Sequence, residues 1–373
     1  MRIVLAPDKF KGTLTAAEVC SHLASGIRRA APDVELVTVP VADGGDGTLD
    51  AALAQGFRRV DVEANGPTGR LVRSAIGVRD GVAVVELAAV AGLTLLPGGR
   101  PDPLRASSFG VGQLIRAALD EGCREIVLGV GGSASTDGGA GMLQALGVRL
   151  LADDGTDLPL GGIALGALAR VDASGLDSRL AGVRVVLATD VDNPLTGPTG
   201  AAAVYGPQKG ATPDDVAALD AALAHLSRLV DPAAARSPGA GAAGGVGYAA
   251  LTVLRATMRP GIEVVLELGG FAGAAAGADL VVTGEGAIDL QTLHGKAVAG
   301  VAAAARVAGA RCVAVCGQSS LGPRDLAVAG VSAVYALTDV EPDVRVCIEH
   351  PGPLLEVLGD RLVTDTVSSV ADR

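Results

Sequence analysis

The sequence has few of the residue patterns on which several common kinds of active site depend. Its histidines are scattered, and no two of them have the spacing of zinc ligands; they are His22, His225, His294 and His350. Neither a G-x-x-x-x-G-K-[ST] phosphate-binding loop nor a G-x-S-x-G nucleophile turn is present. The sequence therefore argues against zinc catalysis, serine hydrolysis and a Walker-type nucleotide site.

Cysteine is also scarce, and its spacing is irregular. An odd number of cysteines argues against a disulfide framework; the five are Cys20, Cys123, Cys312, Cys316 and Cys347. Cys312 and Cys316 lie four residues apart in a strand-like run with no histidine nearby, which does not suit a metal site. We predict that these residues are buried thiols.

No run of 18 uncharged, strongly apolar residues occurs, and the first residues lead directly into a predicted strand. The formal net charge is -11, which argues against nucleic acid and anionic membranes as partners because both attract basic surfaces. We therefore expect a soluble, cytoplasmic protein. Formation of a homo-oligomer is compatible with the sequence and stays open.

Lysine is rare, because only four of the 30 basic residues are lysine: Lys9, Lys11, Lys209 and Lys296. Arginine therefore carries most of the positive surface charge. All four lysines lie beside glycine-rich or aspartate-bearing turns, which suggests that their sites require a compact ammonium group. The alternative is that they are ordinary solvated residues in exposed loops.

The two ends of the chain share one pattern of alternating strands and helices. Residues 2–6 read as a strand, and Thr15 and Glu18 form a capping box at the start of a helix. A second strand over residues 34–41 leads through a glycine-rich turn to a helix over 49–55. The same alternation returns from residue 279 onwards.

Neither end has enough strands for a covered parallel sheet by itself, but together they have. We therefore predict an α/β protein with a discontinuous, Rossmann-like, doubly wound domain made of residues 1–64 and 279–373. Residues 65–278 would form an inserted α+β domain with glycine-rich loops. The ligand cleft is expected between the two domains.

Residues 129–141, with the sequence GVGGSASTDGGAG, lie between a predicted strand and a predicted helix. Glycine allows backbone N–H groups to approach an oxyanion, and a helix N-terminus attracts negative charge. We interpret the loop as a cradle for a phosphate or an acid substrate, in which Asp137 would hold a metal ion or a hydroxyl group. Two alternatives stay open. One is a tight structural turn, and the other is a dinucleotide site of the form Gly129-x-Gly131-x-x-Ala134, with Asp153 or Asp154 as the ribose-binding acid.

Two further stretches have more than one interpretation. Asp190 and Asp192 follow a predicted strand and could hold one Mg²⁺, although aspartates in irregular turns also make purely local hydrogen bonds. Residues 237–247 form a second glycine cluster, which is either a flexible linker or a ligand-binding loop.

Glycine loops, isolated lysines and carboxylates at strand ends are together typical of phosphoryl transfer. Seven motifs in this inventory resemble those of the type I glycerate kinases, in the same order along the whole chain. The motifs are residues 6–13 (APDKFKGT), 42–48 (ADGGDGT), 131–139 (GGSASTDGG), 190–195 (DVDNPL), 208–211 (QKGA), 241–245 (GAAGG), and 284–286 with 291–296 (GEG and QTLHGK).

The resemblance implies ATP- and Mg²⁺-dependent phosphorylation of D-glycerate, at the 2-hydroxyl with the 3-hydroxyl left open. An NAD-dependent hydroxy-acid oxidoreductase and a binding protein without catalytic activity are the alternatives. The predicted catalytic residues are Lys11, Asp43, Asp190, Asp289 and Lys296. The predicted nucleotide-binding residues are Gly131, Gly132, Ser133, Thr136, Asp137, Gly138, Gly284, Glu285 and Gly286. The predicted magnesium ligands are Asp190 and Asp192.

Overall fold

The computed structural model describes residues 1–293 and 297–371, which form two compact units. Unit 1 contains residues 1–43, 50–56 and 262–373, and unit 2 contains residues 44–49 and 57–261. The predicted catalytic residue Lys296 lies outside the described residues. None of the helices in the described ranges has both the length and the apolar composition that crossing a membrane requires.

The strands of the described residues are numbered in chain order as β1 (Arg2–Pro7), β2 (Glu35–Thr38), β3 (Arg58–Asn65), β4 (Leu71–Arg79), β5 (Val82–Glu86), β6 (Glu125–Gly129), β7 (Arg149–Leu151), β8 (Arg170–Asp172), β9 (Arg184–Ala188), β10 (Thr257–Arg259), β11 (Leu280–Ile288), β12 (Arg311–Ser319) and β13 (Val334–Ala336). The α-helices are α1 (Ala16–Ala30), α2 (Thr48–Ala54), α3 (Ala88–Ala91), α4 (Phe109–Asp120), α5 (Ala140–Ala145), α6 (Ala201–Tyr205), α7 (Pro213–Val230), α8 (Ala242–Thr252), α9 (Gly261–Leu268), α10 (Phe271–Ala275), α11 (Ala297–Val307), α12 (Pro323–Val328), α13 (Val344–Glu349) and α14 (Pro351–Ala371).

Unit 1 is built on a five-stranded parallel sheet in the order β13-β12-β11-β1-β2. Strands from both ends of the chain therefore pair in one sheet, as the sequence predicts. In β1, Ile3 and Leu5 belong to the core on one face of the sheet, and Val4 and Ala6 to the core on the other. Burial on both faces explains why the strand is apolar throughout instead of alternating.

The helix α1 begins where the capping box predicts. The Thr15 hydroxyl accepts a hydrogen bond from the backbone of Glu18, and the Glu18 carboxylate accepts one from the backbone of Thr15. A cap of this kind contributes about 1 kcal/mol. Val19, Leu23 and Ile27 share the buried face of the helix and are 0% exposed.

Unit 2 is built on a six-stranded mixed sheet in the order β10-β9-β6-β5-β4-β3. β3, β4 and β5 form an antiparallel meander, whereas β5, β6, β9 and β10 run parallel. The antiparallel part follows from a two-residue turn at Asp80 and Gly81, which both have positive φ. The parallel part requires crossovers such as α4, so the α+β class that we expected describes only the meander.

The unit boundaries differ from the predicted domain boundaries. Residues 44–49 and 57–64 belong to unit 2, the second range because β3 pairs with β4, and residues 262–278 belong to unit 1. The predicted boundary between residues 64 and 65 instead falls at the end of β3, which residues 66–70 connect to β4. The predicted burial of the thiols is confirmed, since all five cysteines are buried and none is in a disulfide.

Candidate active site

Three carboxylates meet at the carboxyl ends of neighbouring strands in unit 1. Asp8 follows β1, Asp43 follows the segment after β2, and Glu285 lies in β11. The pKa of Asp8 is raised to about 7, chiefly by burial and then by the negative charge of Asp43, with a smaller effect from Glu285. The carboxyl ends of parallel strands are where open α/β sheets bind ligands. Asp8 is therefore a candidate that the list of predicted site residues missed.

The segment after Glu285 is held by Thr292, which is 1% exposed. The Thr292 hydroxyl donates to Glu285 Oε1 at 2.7 Å and accepts from the backbone N–H of Asp289 at 3.1 Å. Gly286 lies close to the backbone at residue 11, since a Cβ atom on this glycine would be 3.5 Å from Lys11 N. The structure thus brings four predicted site residues of unit 1 into one region: Lys11, Glu285, Gly286 and Asp289.

In unit 2 the glycine-rich loop follows β6, but it does not have the geometry of a dinucleotide site. The strand ends at Gly129 and α5 begins only at Ala140, so ten residues separate them. The dinucleotide fingerprint places its helix directly after the third small residue, which would be Ala134. Asp154 instead caps an exposed turn by accepting hydrogen bonds from the backbone and hydroxyl of Thr156. The oxidoreductase alternative loses its support.

The inner half of this loop is buried. Asp137 is 0% exposed, and its carboxylate accepts hydrogen bonds from the backbones of Ser108, Gly139 and Gly141 and from the hydroxyls of Ser107 and Ser108. Asp137 is therefore a buried cap for α5, and its contact with a metal ion or a hydroxyl group stays a prediction.

The two residues beside Asp137 are also closely packed. Thr136 is 0% exposed, and a Cβ atom on Gly138 would meet the side chains of Leu226 and Leu223 at 2.6 Å and 3.0 Å. The N-terminal amides of α5 are also occupied by Asp137 and Ser108. Gly131 is half-buried and Gly132 is exposed at the outer edge of the loop, and Ser133 beside them is 7% exposed.

A fully buried lysine supports the loop from behind. Lys209 is 1% exposed, and its Nζ atom donates to Ser133 Oγ at 2.9 Å and to the backbone oxygen of Ser135 at 2.5 Å. Burial lowers the pKa of Lys209 to about 7, although the nearby Asp137 carboxylate acts in the opposite direction. Lysine scarcity indicated this residue, but its burial was not predicted.

A second glycine-rich loop of unit 2, residues 44–48, lies directly against the first. A Cβ atom on Gly131 would come within 2.5 Å of Gly45 Cα, so only glycine permits this approach. The buried carboxylate of Glu86, at the end of β5, accepts hydrogen bonds from the backbones of Gly47 at 3.1 Å and Leu49 at 2.9 Å. Glu86 thus holds the loop in place, a role that the sequence analysis missed.

The predicted magnesium ligands lie at the carboxyl end of β9 in the same unit, and both Asp190 and Asp192 are exposed. Asp190 Oδ1 accepts a hydrogen bond from Gly261 N at 3.1 Å. The next residue of this turn, Asn193, accepts a hydrogen bond from the Tyr205 hydroxyl at 2.6 Å, which anchors the turn to α6. Burial raises the pKa of Tyr205, and the Asp192 carboxylate raises it further.

Residues 237–247 form neither a flexible linker nor an open loop. Residues 239–250 are buried, and three left-handed residues, Ala243, Gly244 and Gly245, bend the chain at the start of α8. Gly244 O accepts a hydrogen bond from Gly138 N at 2.9 Å. A Cβ atom on Gly244 would lie 2.1 Å from the backbone oxygen of Ser135, so this cluster packs against the inner half of the first loop.

Comparisons with known proteins show the family to which the chain is related. A model of the glycerate kinase family matches residues 3–366. The glycerate kinase of Bacillus subtilis (strain 168) is 42% identical over 377 residues, which cover 99% of this chain and 98% of that protein. The glycerate 2-kinase of Escherichia coli (strain K12) is 44% identical over 314 residues, or 82% of each chain.

A solved structure shows the same similarity in three dimensions. A crystal structure assigned to glycerate kinase 2 from Salmonella typhimurium LT2 matches this chain with a TM-score of 0.86 at 40% identity, and the match covers 100% of both chains. The similarity of sequence covers 99% of this chain, and the similarity of fold covers all of it. The chain belongs to the glycerate kinase family.

Proposed function

We propose that this protein is a glycerate kinase that transfers the γ-phosphoryl group of ATP to the 2-hydroxyl of D-glycerate in the presence of Mg²⁺. Family membership over residues 3–366 is the observation that carries the proposal. The choice of the 2-hydroxyl rests on the relative from Escherichia coli, which is named glycerate 2-kinase. We also propose that units 1 and 2 are the two domains expected from the sequence and that unit 1 is Rossmann-like.

The magnesium site is proposed at Asp190 and Asp192. Among the described residues, no group of three or more His, Cys, Asp or Glu side chains could hold a metal ion. This fits Mg²⁺, which proteins commonly bind through one or two carboxylates together with substrate phosphates and water. Two exposed carboxylates after β9 are a suitable donor set. When bound, the ion would neutralise charge on the phosphate oxygens.

The outer edge of the first glycine loop is proposed to contact an oxyanion of the nucleotide or the substrate. Gly131 and Gly132 have no side chain in the way, and Ser133 offers a hydroxyl group. Their positions are fixed from behind by the buried Asp137 network and by Lys209. A rigid, preorganised donor set is what stabilises the charge that develops during phosphoryl transfer.

In unit 1, Lys11 and Lys296 are proposed to offset negative charge on the phosphates or the glycerate carboxylate. Asp43 or Asp289 is proposed to accept the proton of the attacking hydroxyl group. Glu285, held by Thr292, and the glycines on either side of it would contact the nucleotide. These assignments are predictions from the sequence, and the grouping of Lys11, Asp43 and Glu285 in one unit supports them.

The substrate proposal is tested by ADP formation with ATP and Mg²⁺. We expect turnover of D-glycerate and none of L-lactate, which lacks the second hydroxyl group and would leave polar groups of the pocket unpaired. ATP·Mg and D-glycerate, but not NAD, should raise the melting temperature. Equal rates with both acids, or no ADP formation with D-glycerate, would refute the proposal. Phosphorus NMR of the product distinguishes the 2-phosphate from the 3-phosphate.

A further inference from the structure

The Lys209 ammonium group is an unusual group to find buried in unit 2. It is 1% exposed, and its Nζ atom donates two hydrogen bonds, to Ser133 Oγ and to the backbone oxygen of Ser135. Burying an ammonium group is costly unless its hydrogen bonds are satisfied. Both acceptors belong to the first glycine loop, which the proposed function places at the nucleotide or the substrate. The buried ammonium group therefore holds this loop.

The bond from Lys209 restricts what the Ser133 hydroxyl can do. A serine hydroxyl has one proton to donate and two lone pairs that accept. Ser133 Oγ accepts from Lys209, and the described part of the chain provides no acceptor for its own proton. Ser133 is 7% exposed and lies next to Gly132, which is exposed. Its proton is therefore free to be donated to a bound group.

The backbone on both sides of this contact is fixed. Gly132 O accepts a hydrogen bond from Leu93 N at 3.0 Å, and Ala134 N donates to Ala91 O at 2.8 Å. Lys209 lies in a short turn that ends at Gly210, whose φ is +87° and where a Cβ atom would come within 2.3 Å of Pro101. The backbone positions from which the Lys209 and Ser133 side chains extend are therefore held in place.

We propose that Lys209 is a positioning residue that holds the Ser133 hydroxyl as a hydrogen-bond donor to an oxyanion of the bound ligands, either the glycerate carboxylate or an ATP phosphate. This inference rests on the proposed function and adds to it a residue that does not touch the substrate. A donor polarised by a neighbouring ammonium group, in a rigid and largely buried setting, binds an oxyanion more strongly than a solvated hydroxyl.

The test is a double-mutant cycle with Ser133→Ala, Lys209→Met and the double variant, in which KM for ATP, KM for D-glycerate and kcat are measured. We expect both single variants to raise KM for the same ligand, either ATP or D-glycerate. The increase should be at least about 10-fold, which corresponds to the loss of one hydrogen bond to a charged group. The KM that rises identifies the oxyanion. The double variant should be no worse than Lys209→Met alone, because the two residues act as one unit.

Leu150→Ala is the matched control for a purely structural effect. Leu150 is 1% exposed in the two-stranded sheet of unit 2, so its truncation should lower the melting temperature and leave both KM values unchanged. If the increase in KM of the double variant equals the product of the increases in the two single variants, the inference is overturned. A Lys209→Met variant that behaves like Leu150→Ala would also overturn it.

If Lys209→Met does not fold, Lys209→Gln, which keeps N–H donors without the charge, takes its place in the cycle. If neither Lys209 variant folds, the test uses Ser133→Ala alone. Unchanged KM values for ATP and D-glycerate in that variant overturn the inference. Wild-type turnover is measured first and tests the proposed function separately. If the wild type shows no turnover, the changes in melting temperature that ATP and D-glycerate each produce replace the KM values in the cycle. A wild type whose melting temperature responds to neither ligand also overturns the inference.

Discussion

Replacing Asp8 by asparagine tests the electrostatics of the carboxylate cluster in unit 1. Burial and the neighbouring Asp43 raise the pKa of Asp8 from 3.8 to about 7 in the folded protein. Asparagine keeps the shape of the side chain, and its oxygen can still accept the 2.7 Å hydrogen bond that Lys9 N donates to Asp8 Oδ1. The substitution therefore removes mainly the charge.

The pH dependence follows from where the proton is bound. Below pH 3.8 both the folded and the unfolded chain carry the proton, so Asp8 does not affect stability. Between pH 3.8 and about 7 the folded state keeps the proton and the unfolded state has lost it, so stability falls as the pH rises. Above pH 7 the penalty is constant, and it amounts to at most roughly 4 kcal/mol.

The assay compares the melting temperatures of wild type and Asp8→Asn from pH 5 to pH 8. The advantage of the variant should grow by roughly 3 kcal/mol over this interval, or about 4 °C if the whole chain unfolds together. Asp50→Asn is the control, because it makes the same change of residue type at a position that is exposed on α2. Parallel curves for wild type and Asp8→Asn would refute the reasoning.

Three further predictions concern unit 2 and the thiols. Asp137→Ala leaves five buried donors without an acceptor and should lower the free energy of unfolding by at least about 3 kcal/mol; an unchanged denaturation midpoint would contradict this. Gly244→Ala should destabilise the protein far more than Gly122→Ala. Both glycines have positive φ, but only at Gly244 would a Cβ atom clash with the backbone, at 2.1 Å. Equal melting temperatures of the two variants would show that the structure relieves this clash. The thiols should react with Ellman's reagent only after denaturation, since all five are buried and burial raises the pKa of Cys20 to about 12; rapid labelling of the native protein would show an accessible thiolate.

Local sequence patterns were sufficient to predict several strands and helices and the family. The capping box at Thr15 and Glu18 and the apolar spacing after it predict α1, because both depend on residues that are near one another in the chain. The shared sheet of the two chain ends was predicted from strand counting. The turn at Asp80 and Gly81 carried a hairpin signal that would have predicted the antiparallel meander of unit 2.

The tertiary structure alone decided which polar residues are buried. Asp137 and Lys209 have the residue types of ligand-binding groups, yet both are buried because segments distant in sequence cover them. Gly244 and Gly245 have a composition typical of linkers, but they pack against the first glycine loop. Sequence patterns report the conformation that nearby residues favour, whereas burial and hydrogen-bond partners depend on contacts formed across the chain, such as those between Lys209 and Ser133.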